Sequence, residues 1–323
     1  MSLSAAQITI AVTVYNRRQF LKQAIASALN QTTPVRVIVV EDCGPDATLE
    51  KFVKDEFGPK IEYIKNPRRR GLFGNWNACM EVCATEWLSI LHDDDYLAPE
   101  FAEAMMELAG RAPGRTLYFG QTIIVDEKGQ PTAENPLRPV QGPWQQIGLP
   151  DILYLTPFPF PGQLFKASAA KEVGGFRESS YFCGDWEMWA KLIARKGAAQ
   201  TAKVVAYKRG HDLWDKGTNA VVRSGRHSPT SFVQQKRILA LLPANARISF
   251  DRAAYQIRNP MSVRFLLRYG ASLRPHLLVY HVRLLLLSRP PHWRYAAYQQ
   301  CARIGRSGFV LWTSKLWNRW HRI

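Results

Sequence analysis

Short apolar runs alternate with helically periodic segments from Ile8 onward. Ile8 to Val14 is β-rich, and Arg17 to Leu29 repeats apolar positions at helical spacing with Asn16 placed as N-cap. Val35 to Val40 is an apolar run suited to a strand buried on both faces. The pattern continues with a helix at Leu49 to Phe57, a strand at Ile61 to Lys65, a helix at Asn75 to Cys83 and a strand at Trp87 to Leu91. Pro99 opens a further helix to Leu108, because proline is tolerated in a first turn. This βαβα rhythm predicts an α/β fold, a mostly parallel nucleotide-binding sheet flanked by helices. Ligands of such sheets bind beyond the carboxyl ends of the strands, where Tyr15-Asn16, Asp42 and Asp93 to Asp95 fall.

The rhythm then loosens. Leu117 to Val125 reads as a longer strand ending at the turn Glu127-Lys128-Gly129. Pro131 to Pro161 is rich in proline and glycine and is expected to cross the surface. A short strand at Leu164-Phe165, a helix at Ala167 to Val173 stopped by Gly174-Gly175, a helix at Trp186 to Arg195 and a strand at Ala202 to Tyr207 follow.

Composition adds a boundary. The chain of 323 residues carries a net charge of +17, and Asn245 to Ile323 holds fourteen Lys and Arg against one acid, Asp251. Two regions are therefore expected: 1–243, and a basic, mainly helical appendage at 244–323 built for an anionic partner. Leu277 to Leu287, interrupted by His281 and Arg283, is too short to span a membrane, and the N-terminus has no secretory pattern. Cys43, Cys79, Cys83, Cys183 and Cys301 lack a second Cys or His pair for zinc and read as reduced thiols of a cytosolic protein.

The chemistry concentrates in acids. Trp87 to Leu91 runs through His92 into Asp93-Asp94-Asp95, where adjacent carboxylates repel and a divalent cation relieves the conflict. The alternative is a solvated acidic turn before the helix at Pro99. Gly184-Asp185-Trp186-Glu187 supplies a separate carboxylate. A metal site with a second acid suggests transfer chemistry on a phosphorylated donor. Asp42 beside Gly44-Pro45 reads equally as a turn cap and as an acceptor for a base imide.

The ordered motifs over Gln7 to His211 resemble the family 2 glycosyltransferases, inverting enzymes of the glycosyltransferase A-type fold that include bacterial cell-surface glycan enzymes. They are Val12-Thr13-Val14-Tyr15-Asn16, Val40-Glu41-Asp42-Cys43-Gly44-Pro45-Asp46, Asn66 with Arg70-Gly71 and Asn75-Trp76-Asn77, Leu91 to Asp95, Gly174-Gly175-Phe176 and Gly184-Asp185-Trp186. The resemblance implies a nucleotide-sugar donor, a UDP-sugar, held by Thr13, Tyr15, Asn16, Asp42, Arg70, Asn75, Asp93 and Arg209. It implies Mn2+ or Mg2+ on Asp94, Asp95 and His211, and Asp185 as the base that takes a proton from the acceptor hydroxyl. His92 stands where the family usually has an aspartate, and a register shifted by one would make Asp93 and Asp95 the metal pair. Trp186 and Glu187 are placed toward a glycan or lipid-linked acceptor, with the core as the other reading for the tryptophans, Trp189 above all. Arg68 and Arg69 either reach the diphosphate or form a solvated loop.

Beyond Pro243 the resemblance ends. Pro260 to Tyr269 and Pro275 to Leu287 are expected to be helical. On a helical wheel Phe309, Trp312, Leu316, Trp317 and Trp320 oppose Lys315, Arg319 and Arg322. That pattern suits a helix lying in an anionic membrane interface, at the cytoplasmic face of the plasma membrane. Packing on the first region, or a homo-oligomer contact, would use the same face. Charge alone would also suit nucleic acid, but no recognition motif accompanies it, so none is expected as a partner. A sugar nucleotidylyltransferase is disfavoured because Tyr15-Asn16-Arg17-Arg18 replaces its glycine-rich loop. A non-catalytic carbohydrate- or nucleic-acid-binding protein would not need the acids.

Overall fold

The computed structural model describes residues 3–132, 140–153, 156–180, 183–210 and 227–244. Residues 1–213 form one compact unit. Its parallel core comes from β1 (Ile8–Val14), β2 (Arg36–Glu41), β3 (Glu62–Lys65) and β4 (Trp87–His92), in the order β3-β2-β1-β4. Register places Val14 beside Glu41, Thr13 beside His92 and Glu41 beside Lys65. The residues that follow these strands, Tyr15, Asp42, Asn66 and Asp93, therefore emerge side by side along one sheet edge.

The other half of the nine-stranded sheet is mixed. β8 (Gln163–Lys166) runs antiparallel between β4 and β6 (Leu117–Val125), and β9 (Ala198–Arg209) runs parallel to β6. Two short strands, β5 (Tyr96–Leu97) and β7 (Trp144–Ile147), pair antiparallel with opposite ends of β9. Neither is evident in the sequence. β5 is one turn past the acids, and the polar Trp-Gln-Gln-Ile of β7 carries no strand alternation.

Helices cover both faces, as expected. Ile8, Ile10, Val12 and Val14 point to a core shared with α1 (Leu21–Leu29), α2 (Leu49–Phe57) and α4 (Phe101–Arg111). The opposite parity faces α3 (Gly71–Val82), α5 (Ala167–Glu172) and α6 (Gly184–Lys196). Aromatic rings fill that layer: Phe119 stacks on Phe158 at 4.0 Å, Trp76 on Phe160 at 4.0 Å, and Phe176 meets Trp189 edge-on at 5.7 Å. The expected surface crossing at Pro131 to Pro161 is thus corrected, since Phe158 and Phe160 are buried in this layer.

Of the residues after 213, α7 (His227–Leu239) is described. No helix among the described residues is long and apolar enough to cross a membrane. The expected helices beyond Pro243 lie outside the described residues.

Candidate active site

The donor edge begins with the turn after β2. Asp42 is almost fully buried, and its two carboxylate oxygens accept the backbone N–H groups of Arg70 at 2.7 Å and Gly71 at 2.8 Å. It therefore caps α3, whose first turn otherwise has unsatisfied donors. This explains why the helix starts at Gly71 rather than at Asn75. The turn of Asp42 is instead closed by its neighbour: Glu41, wholly buried, accepts Gly44 N–H at 2.8 Å, the Tyr63 hydroxyl at 2.6 Å and Lys65 Nζ at 3.0 Å. A Cβ on Gly44 would stand 1.6 Å from the Tyr15 carbonyl oxygen, so glycine is required for the two loops to touch. Tyr15 is half-buried, with the Arg69 guanidinium 4.4 Å from its ring centre, and Asn16 is exposed beside it.

Asn75, expected at the donor, is buried behind the Asp42 turn. It accepts Asn66 Nδ2–H at 2.9 Å and donates to the Val40 carbonyl at 3.3 Å, tying α3 to β2. Arg70 contributes its backbone to Asp42, while its guanidinium pairs with Glu81 at 2.6 and 2.9 Å. Asn16 does not cap α1, which begins four residues beyond Arg17 at Leu21 with Phe20 at the cap position. Thr13 is buried and donates to the Leu91 carbonyl at 3.3 Å.

The acidic turn lies beyond β4. Asp93, Asp94 and Asp95 are all buried, and ligand atoms of His92, Asp94 and Asp95 lie within 4.8 Å of one another. His92 stacks on Phe160 at 4.4 Å, with Trp76, itself stacked on Phe160, 5.4 Å away, and its Nδ1 is 3.6 Å from Asp95 Oδ2. Among the described residues its Nε2 is buried without a hydrogen-bond partner. A nitrogen and two carboxylates at this spacing, one nitrogen unsatisfied, fit a divalent cation. Burial pushes the Asp93 carboxyl up to about 6 against the lowering pull of Arg17, and Asp94 adds to the rise.

Arg17 carried no signal in the sequence. Its two terminal nitrogens reach Asp93 Oδ1 and Asp94 Oδ2, each at 2.5 Å. Burial works against its charge, but the two carboxylates outweigh that and raise its pKa.

Arg209, expected at the donor, is buried beside the acidic turn. Its backbone N–H donates to Asp95 at 2.9 Å and its Nε to the Asp94 carbonyl at 3.0 Å. Its remaining bonds go to the carbonyls of Asp126 and Glu127 and to Gln23, over the ring of Phe20 at 4.0 Å. Its bonds to Asp94 and Asp95 brace the acidic turn. His211 lies outside the described residues.

Asp185 enters from α6. The helix begins at Gly184 with Cys183 at the cap position, so Asp185 sits in the first turn and is not the N-cap. A Cβ on Gly184 would fall 2.5 Å from the Phe73 ring, which itself packs on Trp76, the ring that stacks on His92. This chain of contacts ties the start of α6 to the acidic turn. Burial raises the Asp185 carboxyl, opposed by the backbone N–H of Trp186 and by the charges of Lys208 and His92. Cys43 and Cys183 are the two non-glycine residues with positive φ among the described residues, and they adjoin Asp42 and Gly184-Asp185. Strain of this kind collects at functional sites.

The acceptor expectations meet a different geometry. Trp186 is buried, with Nε1 donating to the Ile152 carbonyl, and Trp189 is core. Glu187, expected to face an acceptor or solvent, is buried and gripped by Arg177 at 2.7 Å and Lys191 at 3.2 Å. Burial would raise its carboxyl, but those two cations outweigh it and hold the carboxyl low.

Comparison with known proteins decides the family. The family model Glycosyl transferase family 2 matches residues 9–166, which hold the Tyr15 loop, Asp42 and the acidic turn. The chain carries a family 2 glycosyltransferase domain. This domain is 35% identical over 122 residues to the succinoglycan biosynthesis protein ExoO of Rhizobium meliloti, a span of 37% of this chain and 32% of that protein. Chondroitin synthase of Escherichia coli is 22% identical over 205 residues, 62% of this chain and 28% of the synthase. The chain thus spans about a third of the length of these two curated relatives. Among solved structures, S. aureus TarS 1-349 in complex with UDP superposes with a TM-score of 0.56 at 16% identity, covering 93% of this chain and 92% of that one. The mannosyltransferase PcManGT from Pyrobaculum calidifontis, in complex with GDP-Man and Mn2+, gives 0.55 at 17%, covering 96% and 88%. These likenesses establish the glycosyltransferase A-type fold.

Proposed function

We propose that this chain transfers a sugar, with inversion, from a UDP-sugar to a hydroxyl of a lipid-linked or growing glycan. The observation that carries the reading is the convergence of Tyr15, Asp42 and the His92/Asp94/Asp95 group on one edge of the parallel strands, with Asp185 tied to them through Phe73 and Trp76. In this reading Tyr15 and the Asp42 turn seat the nucleotide base. His92, Asp94 and Asp95 hold Mn2+ or Mg2+, which when bound neutralises the departing nucleoside diphosphate. Asp185 accepts the acceptor's hydroxyl proton as that oxygen attacks the anomeric carbon. Burial raises its pKa, which makes its carboxylate a stronger base than that of an ordinary aspartate. No second acid is needed where charge on the leaving group is stabilised electrostatically.

The test is Asp185→Asn, assayed against a panel of nucleotide-sugars with glycan acceptors. It should bind nucleotide as the parent does and lose transfer by about a hundredfold or more. Near-normal turnover would refute the assignment. The domain division at 243 and the membrane role of Phe309 to Ile323, residues outside those described, belong to the same proposal. Deleting Phe309 to Ile323 should abolish flotation with anionic liposomes, and retained flotation would remove the interfacial helix from the account.

A further inference from the structure

Two arginines meet the acidic turn, and they differ in kind. Arg209 is buried and bonded to backbone carbonyls, so it is fixed. Arg17 lies in the loop between β1 and α1, two residues from Tyr15, with its side chain 47% exposed. It gives one terminal nitrogen to each of two carboxylates that are only 6% and 11% exposed. Buried carboxylates need a counterion, and Arg17 supplies it from a position open to solvent. Its contact on Asp94 falls on one of the residues of the cation group.

We propose that Arg17 is a placeholder cation that exchanges from Asp93 and Asp94 onto the donor diphosphate, making metal and nucleotide binding mutually dependent. The inference rests on the reading of the acidic turn as the metal–diphosphate site. A divalent cation arriving alone competes with Arg17 for Asp94. A cation arriving with a nucleoside diphosphate brings phosphate oxygens that the guanidinium binds in a planar, paired geometry. Arg17 then loses nothing by leaving the aspartates. The resulting coupling keeps cation without donor from filling the site.

The test uses the full chain with Mn2+ alone, UDP alone and both. Free Mn2+ is followed by electron paramagnetic resonance and UDP binding by calorimetry. Arg17→Met keeps the aliphatic stem and removes the charge. It should bind Mn2+ alone about tenfold or more tightly than the parent, and UDP at saturating Mn2+ about tenfold or more weakly. Mn2+ should also raise its melting temperature more than the parent's. Arg17→Lys, a point charge unable to span both carboxylates, should fall between the two and serves if the methionine variant does not fold. Unchanged Mn2+ affinity in the absence of UDP, or unchanged UDP affinity in its presence, overturns the exchange while leaving the donor site intact. A parent protein with no Mn2+-dependent binding of UDP, GDP or dTDP overturns the donor site and the exchange together.

Discussion

Replacing Asp42 by asparagine separates its capping role from any other. Its carboxylate oxygens each face a backbone donor, Arg70 N–H at 2.7 Å and Gly71 N–H at 2.8 Å, and Asn66 Nδ2 adds a longer contact at 3.4 Å. An amide keeps one oxygen and turns an NH2 toward the other donor. One buried N–H is then unsatisfied, at a cost of about 1–3 kcal/mol, and the surviving bond loses its charge, about another 1 kcal/mol. The start of α3 should therefore open more easily by about 2–4 kcal/mol. Native-state hydrogen exchange reads this locally: at about 1.4 kcal/mol per tenfold, the Arg70 and Gly71 amides should exchange roughly 30- to 700-fold faster. Amides in β1 should change far less. Unchanged protection at Arg70 and Gly71 would show that Asp42 does not hold the helix.

Gly44→Ala should displace the Tyr15 loop, because its Cβ would sit 1.6 Å from a carbonyl oxygen; UDP affinity measured by calorimetry should fall by about tenfold or more. Glu187→Gln should lower stability by about 1–3 kcal/mol in thermal melts without raising the acceptor KM, since the side chain is gripped by Arg177 and Lys191. A raised KM at unchanged stability would restore its acceptor role. Acid pH should act twice. Transfer should fall as the pH drops through the Asp185 value, which burial raises above that of an ordinary aspartate, visible as a shifted acid limb of kcat. The Asp93 carboxyl titrates near 6 in the fold, so its protonated form stabilises the metal-free protein at low pH and that contribution is lost as pH rises through about 6. Metal-dependent UDP binding should correspondingly weaken below that pH.

The parallel core was legible because β1, β2 and β4 are buried on both faces and read as apolar runs. The glycine motif before Phe176 also has a physical reason: Asn77 accepts Phe176 N–H at 2.9 Å and donates to its carbonyl at 2.8 Å, joining α3 to the segment after α5. What stayed hidden depends on partners distant in sequence. The early start of α3 needs Asp42, and Phe160 looks like loop until it meets Trp76 and His92. Arg17 and Arg209 are both arginines beside loops, and local sequence does not separate an exchangeable counterion from a buried strut. Glu187 could be placed on a helix face, but Arg177, ten residues earlier, could not be placed against it.

Calorimetric titration of the full chain with UDP, GDP and dTDP, each with and without Mn2+, tests the central claim most directly. The account predicts that UDP binds and that Mn2+ strengthens its binding by at least about tenfold. Absence of binding by all three, or UDP binding indifferent to the metal, would contradict it.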